Sequence, residues 1–353
     1  MLERMNEVKK DRTISMIRMF AMIMIIFLHM DDSGFFGHVK YVDYVLDSGV
    51  GIFFCISAWL YGQKTVNEAT QDFIVRSFLK ILGPMWFLYC IVFPLNFFVF
   101  HKKFEGLKIL VSSILGLCSY GQVDGCRHLW FITYILFCYL LTPLLEWIDI
   151  SNTKNTQKQF LTKVCIFSGV VLILGSYKII GLSVFYPIEY IVVYFISRRT
   201  NYYQKNDTKL LQYLIILAGI LFTGIWFLYL WDGFSKLPMS STVKILQSQF
   251  ETLTSAALFL VGYNLLKKLN QMKKDKKYPI VLSFFDKYSY SIYLTHAYFI
   301  WNRNLNFMYF SSNKFLNFIL TICEVLLVGI CFQKIYDRLE GLFKKALYRD
   351  DRR

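Results

Sequence analysis

Arg18 and His29 stand eleven residues apart in IRMFAMIMIIFLHM (17–30), a stretch that is otherwise apolar. On a helix, eleven residues at about 100° each make three turns plus about 20°, so the two share a face roughly 16 Å apart along the axis. Such a face offers a fixed cation able to hold phosphate and a titratable base. An ordinary imidazole titrates near pH ~6.5 and suits proton abstraction at neutral pH. The competing reading is structural: Arg18 snorkels or pairs with Glu189 or Glu324, and His29 is an interfacial residue. Other apolar runs hold His128, Glu189, His296 and Glu324, with Lys287 near the end of one. Ionisable side chains inside a bilayer are costly, and by default they point to function. His128 lies near the start of RHLWFITYILFCYLLTP (127–143), and His296 closes YSYSIYLTH (288–296). At their expected depths His29, His128 and His296 could line one outward-facing cavity.

The elements that must carry these residues are helices. The chain has 353 residues, 56% of them hydrophobic and 18% aromatic, against roughly 45–50% apolar in a soluble domain. Apolar runs long enough to span a bilayer recur from end to end. They predict ten spans, at 13–30, 45–62, 81–100, 128–148, 162–177, 179–197, 209–231, 250–266, 285–302 and 315–335. LKILVSSILGLC (107–118) is too short to cross and reads as an interfacial or re-entrant segment. The fold expected is all-α and polytopic: a cytoplasmic segment 1–12, a ten-helix membrane domain 13–335 and a basic cytoplasmic tail 336–353.

With both termini in the cytoplasm, 27 of the 39 basic residues fall on the inner side, as the retention of positive charge there requires. Nine or eleven spans would spoil that asymmetry. The net charge of +15 therefore reflects topology and contact with anionic membrane lipid. A nucleic-acid partner is not expected, since no soluble domain gathers the charge on one face. The first span is expected to be retained, because DDSGFFG has no small-x-small cleavage site and Arg18 interrupts the apolar core. No Cys/His spacing suits a metal. Cys118 and Cys126 share an outward loop, where a bridge between them is allowed.

GVGIFFCISAWLYG (49–62) sets Gly49, Gly51, Ser57, Ala58 and Gly62 in the second span, a pattern that close helix packing explains. Arg76 and Lys80, in RSFLKILGP (76–84), read first as inner-side anchors.

Together these stretches resemble the acyltransferase family 3 membrane domain. The family's Arg, ten residues, then His is matched by Arg18 and His29. Its second-span pattern is met from Gly49 to Ser57, with Ala58 where the family has glycine. Its basic cluster ending in proline resembles Arg76, Lys80 and Pro84, its H-L-W-F segment His128–Phe131 with Tyr139 and Pro143, and its S-I-Y-L-x-H Ser291–His296. Many members carry Asp where Ser15 stands, so Arg18 here needs another counter-ion.

The resemblance implies an O-acyltransferase of the cell membrane, usually an O-acetyltransferase. It would move an acyl group from cytoplasmic acyl-CoA (acetyl-CoA) to a hydroxyl of an extracytoplasmic glycan, such as an envelope polysaccharide, or of a lipid-linked saccharide. Arg18, Arg76 and Lys80 would hold the donor's phosphates. His29 would be the general base, and His128 or His296 would stabilise the oxyanion or protonate the thiolate. An acyl-enzyme on Ser57 or a histidine stays open, as does a homodimer. The rival class is a transporter or exporter of a solute or glycan, against which stands the lack of a two-fold hydropathy repeat.

Overall fold

Capping side chains set where the long helices begin. Asp11 Oδ1 accepts the Thr13 N–H at 2.8 Å, and Asn313 Oδ1 accepts the N–H groups of Phe315 and Leu316 at 3.0 and 3.2 Å. Each oxygen satisfies a donor that the first helical turn leaves without a partner. The computed structural model describes residues 11–37, 40–64, 70–103, 106–150, 162, 166, 188–202, 208–231, 241–272, 278–302 and 304–350.

Most of these residues are helical, with no strand among them. In chain order they form α1 (Arg12–Asp32), α2 (Lys40–Gly62), α3 (Thr70–Pro94), α4 (Leu107–Leu115), α5 (Trp130–Ile150), α6 (Ile188–Ser197), α7 (Lys209–Trp231), α8 (Ser241–Met272), α9 (Ile280–Trp301) and α10 (Lys314–Asp350). Six stretches are long and apolar enough to cross a membrane: Arg12–Asp32, Val42–Gly62, Gln71–Val99, Arg127–Asp149, Lys209–Tyr229 and Lys314–Leu342. They coincide with six of the ten expected spans. α8 and α9 have the length but not the apolar composition of these six. Apart from residues 162 and 166, the expected span 162–177 and the first half of 179–197 lie outside the described residues. α10 runs unbroken through residue 335 to Asp350.

Two compact units divide the chain. The first comprises Met1–Leu28, His38–Asn67 and Leu140–Asp286. In it α2 packs on α6 and α8, and α7 on α8. The small residues of α2 permit this closeness, since a Cβ on Gly51 would stand 2.2 Å from Ser255 Oγ, and so act as packing residues. α7 turns Leu210, Leu214, Leu217, Leu221, Ile225 and Leu228 outward, an apolar stripe suited to lipid.

The second unit comprises His29–Gly37, Glu68–Tyr139 and Lys287–Arg353. Here Pro94 ends the α-helical part of α3, and Leu95–Val99 continue as a π-helical turn. Proline cannot donate to the helical ladder, and wide turns of this kind commonly mark functional places. α4 forms the first part of the short apolar piece 107–118 and is stopped by Gly116 in the left-handed conformation. The N–H groups of Leu117 and Gly116 close back on the Ser112 and Ser113 carbonyls, which is the Schellman pattern. It buries Ser112 and Ser113 and exposes Leu107, Val111, Ile114 and Leu115, the face expected of an interfacial helix.

Candidate functional site

Three short pieces of the second unit meet around imidazole rings. They are the last turn of α1, the 3-10 turn Arg127–Leu129 that leads into α5, and the C-terminal turns of α9. The His29 ring lies 5.1 Å from that of His296, stacked, and 6.1 Å from that of His128; the His128 and His296 rings are 5.1 Å apart. Trp301 closes the group, 4.7 Å from His29 and 5.9 Å from His128. All three histidines are buried.

Hydrogen-bond partners assign the tautomers. His29 Nδ1 faces Asp32 Oδ2 at 3.0 Å, so Nδ1 carries the hydrogen and Nε2 the lone pair. His128 Nε2–H donates to the Leu294 carbonyl at 3.2 Å, and His296 Nδ1–H to the carbonyls of Tyr293 at 2.7 Å and Ile292 at 3.1 Å. Both rings thus expose a bare nitrogen, His128 Nδ1 and His296 Nε2, with no partner among the described residues. Tyr293 fixes the backbone of this corner by donating its hydroxyl to the His128 carbonyl at 2.6 Å. Neutral rings in these tautomers offer lone pairs and no spare N–H. They suit proton acceptance better than they suit an oxyanion.

Beside the rings is a cavity of about 360 Å³ lined by Asp32, Lys102, Asp124, Gly125, Arg127, Tyr298, Trp301 and Asn302. Asp32 and Trp301 line this cavity and also meet His29, the carboxylate at 3.0 Å and the indole edge-on at 4.7 Å between ring centres. The far wall is braced from the π-helical turn. Buried Asn96 donates to the Asp124 carbonyl at 3.1 Å and accepts the Tyr298 hydroxyl at 3.0 Å, and Lys102 pairs with Asp124 at 2.6 Å. Gly125 has φ +81°, and a Cβ there would fall 2.7 Å from the Tyr298 ring, so no other residue fits without displacement.

Arg18 lies in the first unit, and its partner corrects the sequence expectation. Nη1 pairs with Asp286 at 2.7 Å, not with Glu189 or Glu324. Ser15, in place of the family's aspartate, donates to the same carboxylate at 2.9 Å, and Tyr278 donates to it as well. Burial, with the Asp286 bond and charge, pushes the Tyr278 hydroxyl up to about 12. Glu189 is fully buried in α6, and neither carboxylate oxygen has a partner among the described residues. Arg76 and Lys80 are exposed, one turn apart on α3. Ser57 is half-buried in α2 and bonds to no imidazole among the described residues.

The allowed bridge between Cys118 and Cys126 is not formed, and both are buried free thiols. Cys118 instead accepts the Tyr89 hydroxyl at 3.4 Å and donates to Met85 Sδ at 3.5 Å. Burial pushes its thiol up to about 11, which starves it of the thiolate that disulfide exchange needs. Sequence reasoning missed Asp32, Asn96, Trp301 and Asp286. A signal existed for the first alone, in the i, i+3 spacing within HMDD.

The family described as an acyltransferase domain, acyltransferase family 3, matches residues 11–333. That span holds every site residue described in this section. No curated protein and no solved structure matches the chain.

Proposed function

Because this chain belongs to acyltransferase family 3, and is thus a multi-pass membrane acyltransferase, we propose that it transfers an acetyl group from acetyl-CoA to a glycan hydroxyl, with His29 as general base. The acceptor is an extracytoplasmic polysaccharide or a lipid-linked saccharide, and the protein sits in the cell membrane with ten spans and both termini cytoplasmic. One observation carries the assignment. His29 is oriented by the Asp32 carboxylate at 3.0 Å, which leaves Nε2 to take a proton, the arrangement of a base held by a third group.

In the proposed step, His29 Nε2 takes the acceptor's hydroxyl proton. The oxygen bonds to the thioester carbonyl carbon, the carbon–sulfur bond breaks, and His29 returns the proton to the coenzyme A thiolate. His296 and His128, neutral and presenting lone pairs, let the protonated His29 share its charge. Direct transfer needs no acyl-enzyme, and Ser57 has no hydrogen-bonded base among the described residues, such as an activated serine requires. Arg76, Lys80 and Arg18 hold the donor's phosphates. Arg18 spends Nη1 on Asp286, and the rest of its five-donor fork stays available.

Purified protein in lipid nanodiscs, given acetyl-CoA and a surface oligosaccharide, tests this. Wild type should release coenzyme A and form sugar esters, and His29→Ala should do so at least about a hundredfold more slowly. Equal rates would overturn the assignment. So would solute flux in proteoliposomes with no coenzyme A requirement, which is the transporter's signature. Arg76→Ala/Lys80→Ala should weaken donor binding, and an unchanged donor affinity would remove these two residues from that role.

A further inference from the structure

The cavity beside His29 holds two carboxylates that each have one oxygen engaged by a cation or a ring N–H, and donor groups that have no partner among the described residues. Asp124 is paired with Lys102 at 2.6 Å, Asp32 Oδ2 with His29 Nδ1 at 3.0 Å, and the Tyr298 hydroxyl with Asn96 at 3.0 Å. Asn302 Oδ1 accepts the Asn304 N–H at 3.2 Å, which fixes the amide and leaves Nδ2 without an acceptor among the described residues. Arg127, exposed on the cavity wall, has no ion pair or hydrogen bond among the described residues. The Trp301 indole N–H is likewise unspent. Guanidinium, primary amide N–H and indole N–H can only donate.

We propose that the acceptor saccharide carries an anionic group, a carboxylate or a phosphate, and that Arg127 selects it. The inference rests on the acyl-transfer reading and goes beyond it by naming the charge class of the acceptor. A guanidinium fork matches both anions in two parallel hydrogen bonds. Asn302 Nδ2 supplies a further donor, while the second Asp32 oxygen remains to accept one of the acceptor's hydroxyls. Trp301 lines the cavity and lies 4.7 Å from His29. A sugar resting on that indole, its anion on Arg127, keeps its neighbouring hydroxyls near the base. Arg127 is exposed, so its hold on an anion must weaken as salt rises.

The test measures equilibrium binding of three probes to the full chain in nanodiscs at low salt: methyl β-glucuronide, glucose 1-phosphate and methyl β-glucoside. At least one anionic probe should bind wild type about tenfold more tightly than the neutral glucoside. Arg127→Ala should abolish that preference, and Arg127→Lys should retain part of it. Preference for the glucuronide alone assigns a carboxylate, for the phosphate alone a phosphate, and for both a selection by charge. Equal binding of the three probes, a preference that survives Arg127→Ala, or no binding at all overturns the proposal. Turnover of acetyl-CoA by wild type is measured alongside, so failure of the transfer reading appears in turnover while failure of this one appears in binding.

Discussion

Arg198 and His296 are both completely buried, each at 0% exposure, yet their surroundings differ in kind. Arg198, in the first unit, donates from Nε to Asp149 and from Nη2 to Glu146, both at 3.2 Å, and from Nη1 to the Lys64 carbonyl. Its charge is balanced by carboxylates and each arm of the guanidinium is engaged. His296, in the second unit, anchors one nitrogen to helix carbonyls and leaves the other with no partner among the described residues. Folded chains rarely tolerate such a buried orphan without a use for it. The completed network around Arg198 belongs to the scaffold, and the open nitrogen of His296, beside His29, is a group free to take part in chemistry.

The largest effect that would break this comparison is at Arg198. Arg198→Ala strands two buried carboxylates and should cost about 3–5 kcal/mol of stability, read as a fall in thermal unfolding temperature, with activity per folded molecule retained. His296→Phe should do the reverse. It keeps a ring beside His29, leaves stability within about 1 kcal/mol, and lowers transfer about a hundredfold in a coenzyme A release assay. A smaller effect is expected from Gly125→Ala, where positive φ and the Tyr298 ring together cost about 2 kcal/mol. It should raise the acceptor KM with donor affinity unchanged. The smallest is Asp32→Asn. Its side chain is half exposed at 47%, so losing the orienting charge should slow transfer by about three- to tenfold, visible in kcat and not in donor binding.

The fold was legible in sequence wherever hydropathy speaks for one helix at a time. Six of the expected spans are long apolar helices, and the small residues of α2 pack as their type implies. α8 and α9 strain that logic, because polar residues buried against other helices lower their apolar content. The same limit governs the site. Arg18 and His29 could be placed on one helix because 3.6-residue periodicity relates them. Asp286, 268 positions from Arg18, could not be paired with it by any local rule. Asn96 is hidden for a similar reason, since its use depends on the π-helical turn that follows Pro94. Three histidines expected toward the outer side were readable, whereas the indole of Trp301 beside His29 was not. The free thiols of Cys118 and Cys126 show that proximity in a loop says little about bridging when a tyrosine and a methionine compete for the sulfur.

The central claim is that the ring cluster around His29 is where the acyl group changes hands. Its most direct test is the acetyl-ester content of surface polysaccharide in a deletion strain complemented with wild type or His29→Ala, both present in the membrane at equal levels. The account predicts that wild type restores the esters and His29→Ala does not. Full restoration by His29→Ala, or ester content that never depends on the gene, would contradict it.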